Sequence, residues 1–180
     1  GDDYPVYYVN WYDAVEYCNK RSEKEGLSKV YTIDKNRKDP ENKNEYDKIK
    51  WTVKADFSKN GYRLPTEEEW EYAARGGNKS KGYTYSGSNN VGEVAEYPGN
   101  NNKSTKPVGG KKPNELGIYD MTGNVWEWNW EWYDSDNNYR NKRGGSWSNY
   151  VTYYCEVSGR YSSHPDSRYG TLGFRVTRAY

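Results

Sequence analysis

The positions of apolar residues predict two short helices in a chain that is otherwise irregular. The first is expected to begin at Asn10, whose side chain is suited to cap a helix, and to end at Gly26. The residues spaced to share its buried face are Trp11, Ala14, Val15 and Cys18. An amphipathic helix is therefore predicted near the start of the chain.

The second predicted helix begins with a capping box. Thr66 and Glu69 stand three residues apart, so each side chain can accept a hydrogen bond from the backbone amide of the other. Gly76 is expected to end the helix, and its core face comprises Trp70, Ala73 and Ala74. From residue 78 onward Gly, Asn and Pro interrupt every run, which predicts short strands joined by long loops.

The chain shows no internal repeat and no linker that would divide it. At 180 residues one core is the default expectation, so residues 1–180 are predicted to form a single domain. Residues 34–60 are dense in Lys, Asp, Asn and Glu. This composition predicts an exposed insertion, ending in a short strand or hairpin around Ile49, Trp51 and Val53.

Aromatic residues change the picture that hydropathy gives. A mean hydropathy of -1.33 is typical of chains that bury too little apolar surface to fold. The 21 Tyr and 8 Trp, however, can each bury a large area while keeping a polar group. The chain is therefore expected to fold around a core of Trp and Tyr.

Charge and cysteine content exclude several classes of protein. A net charge of +1 gives no electrostatic case for nucleic acid, and no apolar run approaches the roughly 20 residues of a transmembrane helix. The two cysteines are too few for a disulfide scaffold. Cys18 is expected to be buried, and a bridge between Cys18 and Cys155 remains open. A monomer is expected.

The composition changes after Lys142. Residues 148–171 contain five Tyr and five Ser but no Lys, and they lie between the motifs RGGSW at 143–147 and LGFR at 172–175. Antibody paratopes use the same mixture, in which Tyr supplies rigid contact area and small residues supply adaptable hydrogen bonds. Residues of about 143–175 are therefore predicted to form a ligand-binding region.

Four motifs in the same order resemble the formylglycine-generating-enzyme (sulfatase-modifying factor) family. They are RLPTEEEWEYAARGG at 63–77, NELGIYDMTGNVWEW at 114–128, RGGSW at 143–147 and LGFR at 172–175. The resemblance extends from about Val6 to Val176 and implies an α+β fold of the C-type-lectin-like type, with two short helices, small antiparallel sheets and many loops.

The chemistry of the active family members is not expected here. Those members carry a pair of redox-active cysteines shortly after the Gly-Gly-Ser motif, and a thiolate is the reactive form. In this chain Ser148, Asn149, Tyr150 and Tyr154 occupy that neighbourhood, and Cys155 is its only thiol. We therefore expect no enzyme and no catalytic cofactor. An oxidase would need Cys18 and Cys155 to act together.

Within this family, the C-terminal region resembles the variable proteins of diversity-generating retroelements, of the treponemal variable lipoprotein type. In such systems a reverse transcriptase alters adenines, so that Asn codons become NNY codons, which never encode Lys, Glu, Gln, Trp or Met. The positions that agree with this rule, and that are expected to vary and to contact ligand, are Ser148, Asn149, Tyr150, Thr152, Tyr153, Tyr154, Gly159, Tyr161, Ser162, Ser163, His164, Ser167, Tyr169, Gly170 and Thr171. The five tyrosines among them are the expected contact anchors.

The resemblance also implies a structural calcium ion. Its ligands would be the carboxylates of Asp120 and Glu127 and the backbone carbonyls of Gly123 and Val125, because Ca²⁺ prefers oxygen ligands. In the alternative, Asp120 caps a turn and Glu127 pairs with an arginine.

The favoured function is a binding protein on the bacterial cell surface, with a site diversified by a retroelement. The resemblance implies a lipid anchor in a preceding segment. The ligand would be a protein or a glycan on a host or neighbouring cell. The alternatives are an invariant lectin-like or adhesion module and, less favoured, a formylglycine-generating oxidase.

Overall fold

A computed structural model describes residues 2–100 and 103–179, so positions 1, 101, 102 and 180 of the predicted domain lie outside the described residues. The chain forms helix α1 (Trp11–Lys24), strands β1 (Tyr31–Lys38) and β2 (Trp51–Ala55), helix α2 (Glu67–Ala74), and the short helix α3 (Val91–Val94). Strands β3 (Trp126–Trp132), β4 (Arg140–Arg143), β5 (Tyr161–Ser163) and β6 (Leu172–Phe174) follow, and two 3-10 turns lie at Gly77–Lys79 and Thr152–Cys155.

Both predicted helices are confirmed at the residues that cap them. Asn10 and Thr66 are the N-caps, and each forms a capping box, with Asp13 and Glu69 respectively. Gly26 follows the end of α1 with φ +70°, a left-handed conformation that favours glycine. The single turn of α3 was not predicted, and none of the helices described is long and apolar enough to cross a membrane.

Two small sheets carry the strands. β1 and β2 form an antiparallel hairpin, and the second sheet has the order β5-β4-β3-β6. The expectation of antiparallel sheets is wrong for β3 and β6, which are parallel, with Trp126 opposite Leu172. β5 and β6 lie at opposite edges of this sheet, so residues 164–171 form a crossover, and parallel strands require such a connection.

Aromatic residues form much of the core, as predicted. One buried cluster joins α1 to the second sheet and contains Trp11, Tyr12, Ala14, Val15, Cys18, Val30, Tyr31, Leu64, Trp126, Trp128 and Leu172. A smaller cluster beneath α2 contains Trp70, Ala74, Met121 and Val157. The main cluster includes Trp126 and Trp128 of β3 and Leu172 of β6, so it reaches the sheet that carries the predicted binding region.

The predicted insertion is only partly exposed. Residues 31–55 contain the β1–β2 hairpin, but Asn42, Asn44 and Asp47 in its connecting loop are buried. The Asp47 carboxylate accepts hydrogen bonds from the Tyr12 hydroxyl (2.7 Å) and the Asn42 amide (2.7 Å). The prediction of an exposed segment is therefore wrong only for these three side chains, which find polar partners in the fold, while their neighbours in the loop include exposed residues such as Tyr46 and Lys48.

Candidate ligand-binding surface

The motif at 143–147 fixes the start of the binding region. The Arg143 side chain is fully buried and forms ion pairs with Glu67 and Glu71 of α2. Gly144 and Gly145 have φ values of +96° and +77°, which disfavour any other residue, and a Cβ on Gly145 would lie 2.6 Å from Cys155 Sγ. The backbone that enters the region is therefore held against both α2 and the turn at Thr152–Cys155.

The fifteen predicted contact residues differ widely in exposure. Tyr150 (78%), Tyr153 (47%) and Tyr169 (48%) are the exposed tyrosines among them, whereas Ser163 is buried (8%). The other positions are half-buried, and they are Ser148, Asn149, Thr152, Tyr154, Gly159, Tyr161, Ser162, His164, Ser167, Gly170 and Thr171. Three rigid aromatic rings thus project from a surface whose other members are partly covered.

Tyr154 and Tyr161 form the base of this surface. Their rings are 5.1 Å apart and lie 6.3 Å and 4.9 Å, respectively, from the ring of Trp126. Both pack against the main core cluster, and the Tyr153 ring lies 4.3 Å above that of Tyr154. Of the five tyrosines expected to be contact anchors, Tyr154 and Tyr161 are therefore partly covered by the core.

Two further predicted positions have side chains held by the framework. Asn149 Oδ1 accepts hydrogen bonds from the backbone amide (2.7 Å) and hydroxyl (2.7 Å) of Ser146. Ser163 Oγ accepts a hydrogen bond from Lys142 Nζ (2.9 Å). Substitution at either position would leave a polar framework group without its partner, so free variation is not expected there.

Other predicted positions take part mainly through their backbone. The Gly159 carbonyl accepts a hydrogen bond from the Arg143 side chain. The Gly170 carbonyl accepts one from Trp147 Nε1 (3.2 Å), and the Thr171 carbonyl accepts one from the Trp126 amide (2.7 Å). These bonds do not depend on the side chain at the accepting residue. At Thr171, therefore, the side chain can change while the backbone keeps its position.

His164 joins the binding region to the loop between β1 and β2. Its Nδ1 is hydrogen-bonded to the Asn44 amide, and its ring contacts Tyr139 and Tyr46 at centroid distances of 4.8 Å and 5.8 Å. The sequence analysis did not assign Tyr46 and Tyr139 to the binding surface. In the structure both contact His164, and Tyr46 is 76% exposed. Only their residue type could have pointed to them, because both lie outside the Tyr- and Ser-rich stretch.

The N-terminal segment also borders the surface. The Tyr8 amide donates to the Tyr169 carbonyl (3.0 Å), and the Tyr8 ring lies next to Gly170. Tyr7 and Tyr8 are both exposed, and their rings are 5.8 Å apart. The surface therefore includes tyrosines that precede the predicted binding region by more than a hundred residues.

Lys142 contributes a cation to this surface. It is half-buried, and its Nζ lies 5.0 Å from the centre of the Trp126 ring, in addition to donating to Ser163. Burial lowers the pKa of its ammonium group to about 8. Its position as the last lysine before the Tyr- and Ser-rich stretch was visible in the sequence, but its contact with Ser163 was not.

The two thiols are not arranged for redox catalysis. Cys18 and Cys155 are both buried and unpaired, so the disulfide left open by the sequence is absent. Burial raises the pKa of each thiol to about 12, which disfavours the reactive thiolate. Cys155 lies against Gly145 in the framework of the surface and has no second cysteine beside it in the part of the chain described.

The two carboxylates assigned to calcium are engaged by other groups of the protein. The Glu127 carboxylate accepts hydrogen bonds from both Nε (2.6 Å) and Nη2 (2.6 Å) of Arg175 and from Trp70 Nε1 (2.6 Å). Asp120 Oδ2 accepts from the Gly109 amide (2.7 Å), and burial raises the pKa of this carboxyl. Arg175 thus supplies the positive charge beside Glu127. This is the alternative in which Glu127 pairs with an arginine.

The structure therefore defines an α+β domain with a tyrosine-rich surface, supported by buried Trp and Arg residues, and with thiols that are buried rather than reactive. The model of the sulfatase-modifying factor enzyme 1-like domain matches residues 1–180, and the chain belongs to this family. The fold is accordingly of the formylglycine-generating-enzyme type.

Known relatives have different named functions. The chain is 50% identical to the chaperone protein LppX of Paenibacillus barcinonensis over an alignment of 205 positions, which covers 99% of the chain and 71% of LppX. It is 31% identical over 188 residues to the inactive Cα-formylglycine-generating enzyme 2 of Bos taurus, which covers 96% of the chain and 50% of the relative. Among solved structures, Treponema denticola variable protein 1 matches with a TM-score of 0.83 and 36% identity, covering 97% of this chain and 70% of that one.

Proposed function

We propose that the chain is a noncatalytic binding protein whose tyrosine-rich surface contacts a protein or glycan ligand at a bacterial cell surface. The observation that carries this proposal is the contrast between exposed and supporting rings. Tyr150, Tyr153 and Tyr169 project into solvent, while Tyr154 and Tyr161 are fixed against Trp126. A rigid aromatic side chain loses little entropy on binding, so such rings are effective contact residues.

The proposal is tested by removing the projecting rings. Wild-type protein and the triple variant Tyr150→Ala/Tyr153→Ala/Tyr169→Ala are incubated with a phage-displayed random peptide library and with a glycan array. We expect ligands of the wild type to lose at least about tenfold in affinity for the triple variant, because aromatic contact residues dominate binding energies. The matched control is Tyr72→Ala, since Tyr72 is a 60% exposed tyrosine on α2. Equal binding by all three proteins would refute the proposal.

The finer proposal is that a retroelement diversifies this surface. Similarity to Treponema denticola variable protein 1 supports it, together with the agreement of the fifteen predicted contact positions with the NNY rule. The exposed positions Tyr150, Tyr153 and Tyr169 are those at which substitution costs least. Deep sequencing of the 3′ end of the gene across a clonal population should reveal NNY substitutions concentrated there. A uniform sequence would instead identify an invariant binding module.

A second candidate function is that of a chaperone, because LppX, which is 50% identical, carries that name. A chaperone of this kind would bind a partner that is not fully folded. The diagnostic measurement is light scattering of heated citrate synthase in the presence of the protein. Suppressed aggregation that is lost in the Tyr150→Ala/Tyr153→Ala/Tyr169→Ala variant would favour the chaperone over a receptor for folded ligands. A lipid anchor in a preceding segment remains part of the proposal in either case.

A further inference from the structure

Lys142 is a half-buried cation that no carboxylate accompanies. Among the described residues the buried Arg140 also has no ion pair, but it lies over the Trp11 and Trp132 rings and donates to the Trp130 carbonyl at 2.8 Å. In the described ranges 2–100 and 103–179, no Asp or Glu oxygen forms an ion pair with Lys142 Nζ. By contrast, Arg143 pairs with Glu71, and Arg175 pairs with Glu127. A cation removed from water normally has an anionic or strongly polar partner, so the environment of Lys142 is incomplete in this respect.

The geometry leaves part of the Lys142 ammonium group available. An ammonium carries three N–H donors, and one of them is used by Ser163 Oγ at 2.9 Å. The centroid of the Trp126 ring lies 5.0 Å from Nζ, and a ring face accepts no conventional hydrogen bond. The side chain is half-buried rather than enclosed, so the remaining donors can reach a ligand that lies on the surface.

The residues around Lys142 belong to the binding surface. In the sheet Lys142 is opposite Tyr161 of β5, whose ring also contacts Trp126 and Tyr154. Tyr153 extends this group outward, since its ring lies 4.3 Å from that of Tyr154. A ligand that docked against these rings would cover Lys142 and exclude water from it.

We propose that Lys142 binds a carboxylate of the ligand, and that the surface therefore selects peptide segments with an acidic group next to apolar or aromatic residues. The inference rests on the proposed function, because it names the ligand chemistry of the same surface. A hydrogen bond between an ammonium and a carboxylate is stronger than a neutral one, and exclusion of water strengthens it further. The acidic group is an Asp or Glu side chain or the C-terminus of the bound segment. A peptide is favoured over a glycan because the composition of the surface is that of protein-binding paratopes.

The test uses two phage-displayed random peptide libraries, one with a free C-terminus and one with the peptide placed internally. Both are selected on the wild type, and the selected peptides are then measured against Lys142→Met, Lys142→Arg and Tyr153→Ala. Lys59→Met is the matched control, because Lys59 is exposed, pairs with Asp56 and lies outside the binding surface. We expect enrichment of acidic residues in the internal library, or of C-terminal binders in the other. The first result would identify a side-chain carboxylate and the second a terminal one.

Affinity should fall about tenfold or more in Lys142→Met and be largely retained in Lys142→Arg and Lys59→Met. Replacing the peptide carboxylate by its amide should cost as much in the wild type and nothing further in Lys142→Met. If binding depends on Tyr153 but not on Lys142, the carboxylate inference is overturned and the proposed function survives. If no selected peptide depends on either residue, both fail. Selective binding of sialylated glycans in place of peptides would also overturn the inference.

Discussion

Truncation of Tyr161 should mainly lower the stability of the fold, whereas truncation of Tyr153 should mainly weaken ligand binding. Tyr161 is half-buried, and its ring contacts Trp126 at 4.9 Å and Tyr154 at 5.1 Å. Removing a fully buried aromatic side chain costs about 3–5 kcal/mol, so Tyr161→Ala should lower the free energy of unfolding by about 2 kcal/mol. Tyr153 is 47% exposed, and among the aromatic rings of the described residues it contacts only that of Tyr154, so Tyr153→Ala should cost about 0.5–1 kcal/mol.

Urea denaturation followed by tryptophan fluorescence measures both values, and thermal unfolding provides an independent check. A loss of about 2 kcal/mol corresponds to a fall in Tm of about 4–8 °C for a domain of this size. Affinity for selected ligands should respond more strongly to Tyr153→Ala than to Tyr161→Phe, which keeps the supporting ring. Equal destabilisation by the two alanine substitutions would refute the division between projecting and supporting tyrosines.

Three other outcomes are expected. Between pH about 8 and 10.5, the free energy of unfolding of the wild type should rise relative to that of Lys142→Met. Burial lowers the pKa of Lys142 to about 8, so in this range the unfolded chain binds a proton that the folded chain does not. A flat or falling difference would contradict the burial of this ammonium group. Glu127→Gln should cost about 3 kcal/mol by leaving Arg175 without its carboxylate, whereas EDTA should leave Tm unchanged, and a fall in Tm with EDTA would instead support calcium. Cys18 and Cys155 should resist iodoacetamide in the folded protein and react after unfolding in urea, so rapid alkylation of either would refute their burial.

The features that depend on residues close together in the chain could be predicted from the sequence. The capping boxes at Asn10 and Thr66 require residues only three positions apart, so the sequence contains all the information that defines those helix ends. The parallel contact between β3 and β6 joins residues 126–128 to 172–174, and no pattern within either strand encodes that partner. The glycine and arginine motif at 143–147 was visible, but its ion pairs with α2 became evident only in three dimensions.

Polar residues were the least predictable part of the surface. Asn44 and Asp47 lie in a highly charged stretch and would be expected in solvent, yet each is buried by partners more than thirty residues away in the chain, including Tyr12 and His164. The role of Ser163 likewise depends on a neighbouring strand, which places Lys142 beside it. Composition thus located the binding region but could not distinguish projecting side chains from those held by the framework.

Hydrogen bonds between the two ends of the described chain have a consequence for folding kinetics. The amides of Tyr8 and Trp11 donate to the carbonyls of Tyr169 and Pro165, and Trp128 Nε1 donates to the Val9 carbonyl. Contacts between residues this far apart in sequence close large loops and slow the folding reaction. The segment that leads into the first helix can therefore complete these bonds only after residue 169 has been synthesised, so we expect substitutions near Tyr169 to alter the rate of folding as well as the ligand that is bound.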